Sequence, residues 1–205
     1  VDVKNISEYA KEKGLGVGIV TTDSLSGATP AGFSSHANKR GDTEVIISGQ
    51  INSNIDLFLG AGANTYEKYK SQFENKGYTF VSDYSALSTE NTKIVGSFAS
   101  VPANAGTNAT PTLEMLTSFA IDFFETHFAS GYFLMIEGAH IDKKSHANKI
   151  LPMIEYLTSF DNSVKLVADK FATQNDTAII VTADHETGGL KLAKNKESIK
   201  NSLYT

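Results

Sequence analysis

The 205 residues, with 40% hydrophobic and 20% charged side chains, are enough to bury one substantial core, so a single α/β domain over 1–205 is expected. A formal net charge of −5 would repel a phosphate backbone and argues against nucleic-acid binding, while a small anion held on a bound cation stays open. The chain has no cysteine, which excludes disulfides, thiolate zinc sites and cysteine nucleophiles, and no apolar run approaches the roughly 20 residues that span a bilayer.

The first apolar run, Gly16 to Thr22 (GVGIVTT), is short, rich in valine and isoleucine, and without alternation, as expected of a parallel strand covered on both faces. It leads into Thr21-Thr-Asp-Ser-Leu-Ser-Gly-Ala-Thr29-Pro30, followed by Gly32, Phe33, His36 and Arg40. Pro30 suits the first turn of a helix, which leaves the Thr29 hydroxyl as its cap, as an oxygen ligand for a hard cation, or as both. Arg40 offers a planar fork of donors that matches two phosphate oxygens, although a lone arginine is usually an ordinary surface residue.

Ile55 to Gly60 (IDLFLG) reads as a second buried strand, and Ser100 to Thr110 (SVPANAGTNAT) as a loop. Thr110 and Pro111 signal a helix start before the apolar stripe Leu113, Met115, Leu116, Phe119, Phe123 and Phe124. A third strand, Tyr132 to Glu137 (YFLMIE), runs into Glu137-Gly-Ala-His-Ile-Asp142-Lys-Lys-Ser-His146. On a helical turn Asp142 and His146 project from one face and can grip one metal, with Glu137 at the strand tip. Taken alone, an aspartate and histidine four apart are more often a solvated carboxylate and a surface histidine.

From Pro152, the apolar positions Ile154, Leu157, Phe160, Val164, Val167, Ala168 and Phe171 recur every three or four residues and predict one amphipathic helix. Thr177 to Thr182 (TAIIVT) reads as a fourth buried strand, running into Ala183-Asp184-His185-Glu-Thr-Gly-Gly189. Adjacent Asp184 and His185 at a strand tip can turn toward a second cation, although a helix cap or a loop turn uses the same residue types. Strands alternating with helices predict an α/β fold, a mainly parallel sheet flanked by helices on both faces, with ligands outside the carboxyl ends of the strands.

In this order, V-T-T-x6-A-T-P-A-x-F-x2-H-x3-R, F-L-G-A-G, F-L-M-I-E-G-x2-I-D-x3-H and I-I-V-T-A-D-H-E-T-G-G resemble the alkaline phosphatase family from about Gly14 to Gly189. The resemblance implies three clustered metals: Asp142 and His146 as ligands of a first zinc, Asp184 and His185 of a second, and Thr29 and Glu137 at a third site that usually holds magnesium. It implies that Arg40 clamps phosphate and that Lys143 contacts it through water. The implied activity is hydrolysis of phosphate monoesters through a phosphoserine intermediate, with inorganic phosphate as product. The implied biology is a homodimer exported to a periplasm or the cell exterior, with no membrane or nucleic-acid partner, although no targeting segment opens these residues.

The sequence departs from the family pattern in four places. The nucleophilic serine and the aspartate that bridges the second zinc and magnesium lie, in the family, before the segment matching Gly16 to Thr22, where fifteen residues stand here. Ser24 and Ser26 sit in the later V-T-T loop and are not promoted to that role. No histidine follows His185 to complete the first zinc. Position 27, often aspartate or histidine in the family, is glycine here, which leaves the third ion open. An excised internal part of a longer phosphatase, with little or no turnover of its own, is therefore expected. His127 and His140 have no assigned role. The alternatives are a non-catalytic metal- or phosphate-binding α/β module, or a related two-metal phosphodiesterase, sulfatase or mutase. Thr29 and Glu137 together argue against the latter group.

Overall fold

The computed structural model describes residues 3–189. Five parallel strands, β1 (Gly16–Ser24), β2 (Leu57–Ala61), β3 (Thr79–Val81), β4 (Ile94–Phe98) and β5 (Tyr132–Glu137), form one sheet in the order β3-β4-β2-β1-β5. The chain lays β2, β4 and β3 to one side of β1 and then crosses to place β5 on the other. The strand order thus reverses between β1 and β5, where open α/β sheets gather ligands.

Helices cover both faces. On one side lie α1 (Ile6–Glu12), α2 (Ala28–Ser34), α3 (Thr43–Asn52), α4 (Ala63–Tyr66) and α5 (Lys70–Glu74), which build a core of Ile47, Ile51, Tyr66 and Phe73 against Val17, Ile19 and Phe58 of the sheet. On the other, α6 (Leu113–His127) sets Leu116, Ala120, Phe123 and Phe124 against Val20, Leu57 and Leu59. Consecutive strand residues face opposite layers, and both layers are apolar, which explains why β1 and β2 do not alternate between polar and apolar residues.

In β1 the residues facing α6 are Gly16, Gly18 and Val20. A Cβ on Gly18 would lie 2.4 Å from the Phe124 ring, and one on Gly16 would lie 2.6 Å from the Phe128 ring. The two glycines are the recess into which the aromatic side chains of α6 and its C-terminus settle. Phe124 stacks on Tyr132 at 4.9 Å, so the same ring also packs against the start of β5.

Asp56, just before β2, is nearly buried and is held on three sides. Its Oδ2 accepts from the Val17 N–H at 2.8 Å, and Lys11 Nζ donates to Oδ1 and Oδ2 at 2.9 and 2.7 Å. It ties α1 to the head of the central pair of strands.

The structure corrects three expectations. The helix predicted at Thr110–Pro111 begins at Leu113: Thr112 is the cap, its Oγ1 accepting from Met115 N–H at 3.3 Å. The helix after Pro152 is α8 (Ile150–Phe171), preceded by α7 (His140–His146), and its packed face follows the predicted stripe only in part, at Phe160 and Phe171. Met153, Ser159, Ser163 and Phe171 are buried, whereas Ile154 and Leu157 are exposed. Two serines lie under the helix between Met153 and Phe171, the Ser163 hydroxyl donating to the Ser159 carbonyl at 3.0 Å, so small residues as well as apolar ones form the contact face. Finally, Thr177 to Thr182 forms no strand: Ile179, Ile180 and Val181 are 44%, 86% and 55% exposed, and β5 is an edge of the sheet. β-Branched residues favour an extended backbone but do not specify a partner edge, and a strand without a ladder has no place for its N–H and C=O groups except water.

Removing the Asp56 carboxylate leaves the Val17 N–H and Lys11 without their partner inside the fold. Asp56→Ala is expected to destabilise the chain by about 2 kcal/mol, discounted for the partial exposure of Lys11, as read from the midpoint of urea unfolding.

Candidate functional site

The parallel register sets Thr21 of β1 beside Glu137 of β5, at the carboxyl ends of both strands. The Thr21 hydroxyl donates to Glu137 Oε2 at 2.5 Å and accepts from the Asp23 N–H at 2.9 Å. Burial pushes the Glu137 carboxyl above its ordinary range; hydrogen bonds from Thr21 and Thr29 and the charge of Lys143 oppose this, and the charge of Asp23 adds to it. The N-cap of α2 is Gly27, so the Thr29 hydroxyl does not cap the helix, one of the two roles its sequence position suggests; it lies in the first turn, close enough to act on Glu137. The donors gathered there are hydroxyl and carboxylate oxygens, the set that suits a hard cation, and a desolvated carboxylate with incomplete charge compensation fits one.

A short turn after Glu137 leads into α7. Asp142 and His146 share one face, with His146 Nε2 3.4 Å from Asp142 Oδ1, as expected from their spacing. His140 at the start of α7 is half-buried: its ring stacks on Tyr156 of α8 at 4.7 Å, and its N–H donates to the Thr22 hydroxyl at 3.2 Å. His127 is equally structural, with Nε2 2.7 Å from the Thr89 carbonyl.

Although Thr177 to Thr182 does not join the sheet, the residues beyond it return to α7. The Thr187 hydroxyl donates to Asp142 Oδ1 at 2.5 Å and lies 3.1 Å from His185 Nδ1, and His185 Nε2 lies 3.4 Å from Asp184 Oδ2. The two Asp–His motifs are therefore bridged by Thr187, whose only sequence signal is its place in a polar loop. The side chains of Asp142, His146, Asp184 and His185 are 41%, 68%, 79% and 56% exposed, and among the described residues no three histidine, aspartate or glutamate groups converge on one point. The donor types fit zinc, but they are not drawn into a closed ligand set.

Arg40 is exposed and, with Lys39, lines a shallow cleft along α2 with Ala28, Ala31, Gly32 and Ser35. Among the described residues, no hydrogen bond or ion pair ties it to Glu137 or Asp142. Lys143, by contrast, forms an ion pair with Asp23. The only sequence signal at Asp23 is an acid between a buried strand and a tight turn. The Ser24 and Ser26 hydroxyls lie 3.0 Å from each other. Neither bonds a histidine or a carboxylate among the described residues, so neither is set up as a nucleophile.

The alkaline phosphatase sequence model matches residues 1–202. The chain belongs to the alkaline phosphatase family. It is 30% identical over 205 residues to alkaline phosphatase 3 of Bacillus subtilis (strain 168), covering 93% of this chain and 44% of that protein. It is 26% identical to the alkaline phosphatase of Escherichia coli (strain K12), covering 90% of this chain and 52% of that one. Among solved structures, the cold-active alkaline phosphatase of a psychrophilic Shewanella superposes with a TM-score of 0.82 at 32% identity, over 93% of this chain and 49% of that one. The alkaline phosphatase of the Antarctic bacterium TAB5 gives 0.79 at 30%, over 92% and 58%, and a variant of it has been solved with Mg bound. The chain spans about half the length of the curated relatives it matches. The family and the parallel α/β fold are thus both as the motifs implied, and the family is one of phosphatases.

Because the Glu137 carboxyl binds its proton more tightly in the folded chain than in the unfolded one, chelator-treated protein is expected to lose stability as pH rises from about 4.5 through the raised value. Glu137→Gln should flatten that slope. Urea melts across that pH range check this.

Proposed function

We propose that these residues carry the metal- and phosphate-binding part of a zinc- and magnesium-dependent phosphomonoesterase. The observation that carries the reading is the Thr187–Asp142 hydrogen bond, which draws the Asp184–His185 motif to the Asp142–His146 face across 45 positions of sequence. Without that contact the two pairs would be unrelated decorations of a helix and a loop.

In this reading Asp142 and His146 hold a first zinc, Asp184 and His185 a second, and Thr29 with Glu137 a magnesium. Bound there, such cations acidify a water molecule and neutralise charge on phosphoryl oxygens. Arg40 supplies two parallel N–H donors to the phosphoryl group, fixing its orientation, and Lys143 adds a second positive charge from α7. Recognition is then confined to the phosphoryl group, so phosphate monoesters in general are the substrate class and inorganic phosphate the product. An exported location and a homodimer rest on the family alone. No helix of the described residues is long and apolar enough to cross a membrane.

For the 205 residues by themselves we propose binding without turnover, the reading favoured by the exposed zinc ligands and by the mutual pairing of Ser24 and Ser26. Zinc content and p-nitrophenyl phosphate hydrolysis, measured on one purified sample, test this. The expected result is weak or partial zinc binding, lost in the Asp142→Ala, Asp184→Ala double variant, with no hydrolysis in either. Hydrolysis that survives repurification and disappears in Arg40→Ala would overturn the inactivity, and absence of zinc binding under all conditions would overturn the ligand assignment. In the zinc- and magnesium-loaded chain, Arg40→Ala is expected to weaken inorganic phosphate binding by about tenfold or more, as read by calorimetry.

A further inference from the structure

Asp23 stands at the turn that follows the buried part of β1, and its carboxylate is fixed locally. Its N–H donates to the Thr21 hydroxyl at 2.9 Å, and its Oδ1 accepts from the Ser24 N–H at 2.7 Å. The side chain is 20% exposed, whereas Lys143, its ion-pair partner from α7, is 46% exposed. One partner is therefore anchored at the end of the central strand, and the other is a long, half-solvated chain with many rotamers. In such a pair the anchored carboxylate selects the position of the ammonium.

The room for this arrangement is made at Gly27. A Cβ built there would lie 2.5 Å from Asp23 Oδ2, 3.0 Å from its Cγ and 3.0 Å from the Ser24 carbonyl. The backbone of Gly27, with φ −58° and ψ 162°, is open to any residue, so glycine is not demanded by backbone conformation. What it provides is space, and Asp23 fills it. The Asp23 carboxylate thereby sits over the turn that leads into Thr29, paired with Lys143, and the charges of both act on Glu137.

We propose that Asp23 is a positioning residue for phosphate binding: seated over the bare Cα of Gly27, it holds Lys143 at the Thr29–Glu137 corner of the site. Asp23 carries no contact to phosphate of its own and acts through Lys143. The inference rests on the reading of this site as a phosphate site with Lys143 in it. Two substitutions then have one effect. Asp23→Asn keeps the size of the side chain and its bond to the Ser24 N–H but removes the charge that holds Lys143. Gly27→Ala leaves the charge and pushes the carboxylate off its seat.

The test is a set of variant cycles on the full chain loaded with zinc and magnesium, with inorganic phosphate as the ligand, calorimetry as the readout and thermal melts to confirm folding. Asp23→Asn and Gly27→Ala are each expected to weaken phosphate binding about threefold to fivefold, the scale of one partly exposed ion pair. Neither is expected to weaken it further in a Lys143→Ala background, because a merely structural role would persist there. Unchanged phosphate binding in Asp23→Asn, or losses that add to that of Lys143→Ala, overturns the inference and leaves the phosphate site standing. No phosphate binding by the loaded wild type, or none lost in Arg40→Ala, overturns the site and the inference together.

Discussion

The parallel pairing of β1 with β5, in the register that sets Thr21 beside Glu137, is the constraint on which the site depends. It holds because β1 is buried on both faces. The apolar helices on one side and the aromatic residues of α6 on the other leave the strand no freedom to slip. A slip of one residue would turn Gly16 and Gly18 away from Phe124 and Phe128 and drive Val17 into those rings. The recess in β1 therefore fixes register, and register fixes which polar side chains meet where the strands end.

That constraint reaches only part of the site. The oxygen corner of Thr21, Thr29, Asp23 and Glu137 is built from two strand ends and the first turn of α2, all packed on the core. The Thr21 hydroxyl already donates to Glu137 before any cation is considered. The residues proposed to hold zinc are more exposed. Asp142 and His146 lie on a two-turn helix, and Asp184 and His185 in an irregular, exposed segment that touches α7 through Thr187 and the backbone near Gly188. Two rigidities thus meet in one site: a preorganised corner suited to a hard cation, and a looser pair of ligand sets that a cation would have to draw together, losing some binding free energy to ordering.

Asp23 and Gly27 form one feature that neither position shows alone: the carboxylate occupies the space that a Cβ on residue 27 would fill. Position 27 reads in isolation as the loss of a polar side chain, and position 23 as an unremarkable turn acid. Only their separation in space, too small for a Cβ and a carboxylate to share, shows that they are one feature.

Much of this protein was determined by sequence alone. Apolar runs without alternation gave the strands at Gly16, Ile55 and Tyr132; for β1 and β2 this is burial on both faces written in composition, while β5, at the edge, is half-buried. The spacing of Asp142 and His146 gave a shared helical face, because the helical period is local. The order of the motifs gave the family. Three things were decided only by tertiary structure. The contact face of α8 depends on where two serines let it approach. The strand expected at Thr177 to Thr182 depends on a partner edge that no propensity encodes. The seat of Asp23 over Gly27, with Lys143 arriving from 120 residues away, depends on a distance between side chains that are adjacent only after the sheet has formed. Local periodicity is a property of neighbours along the chain; contacts across it belong to the packed fold.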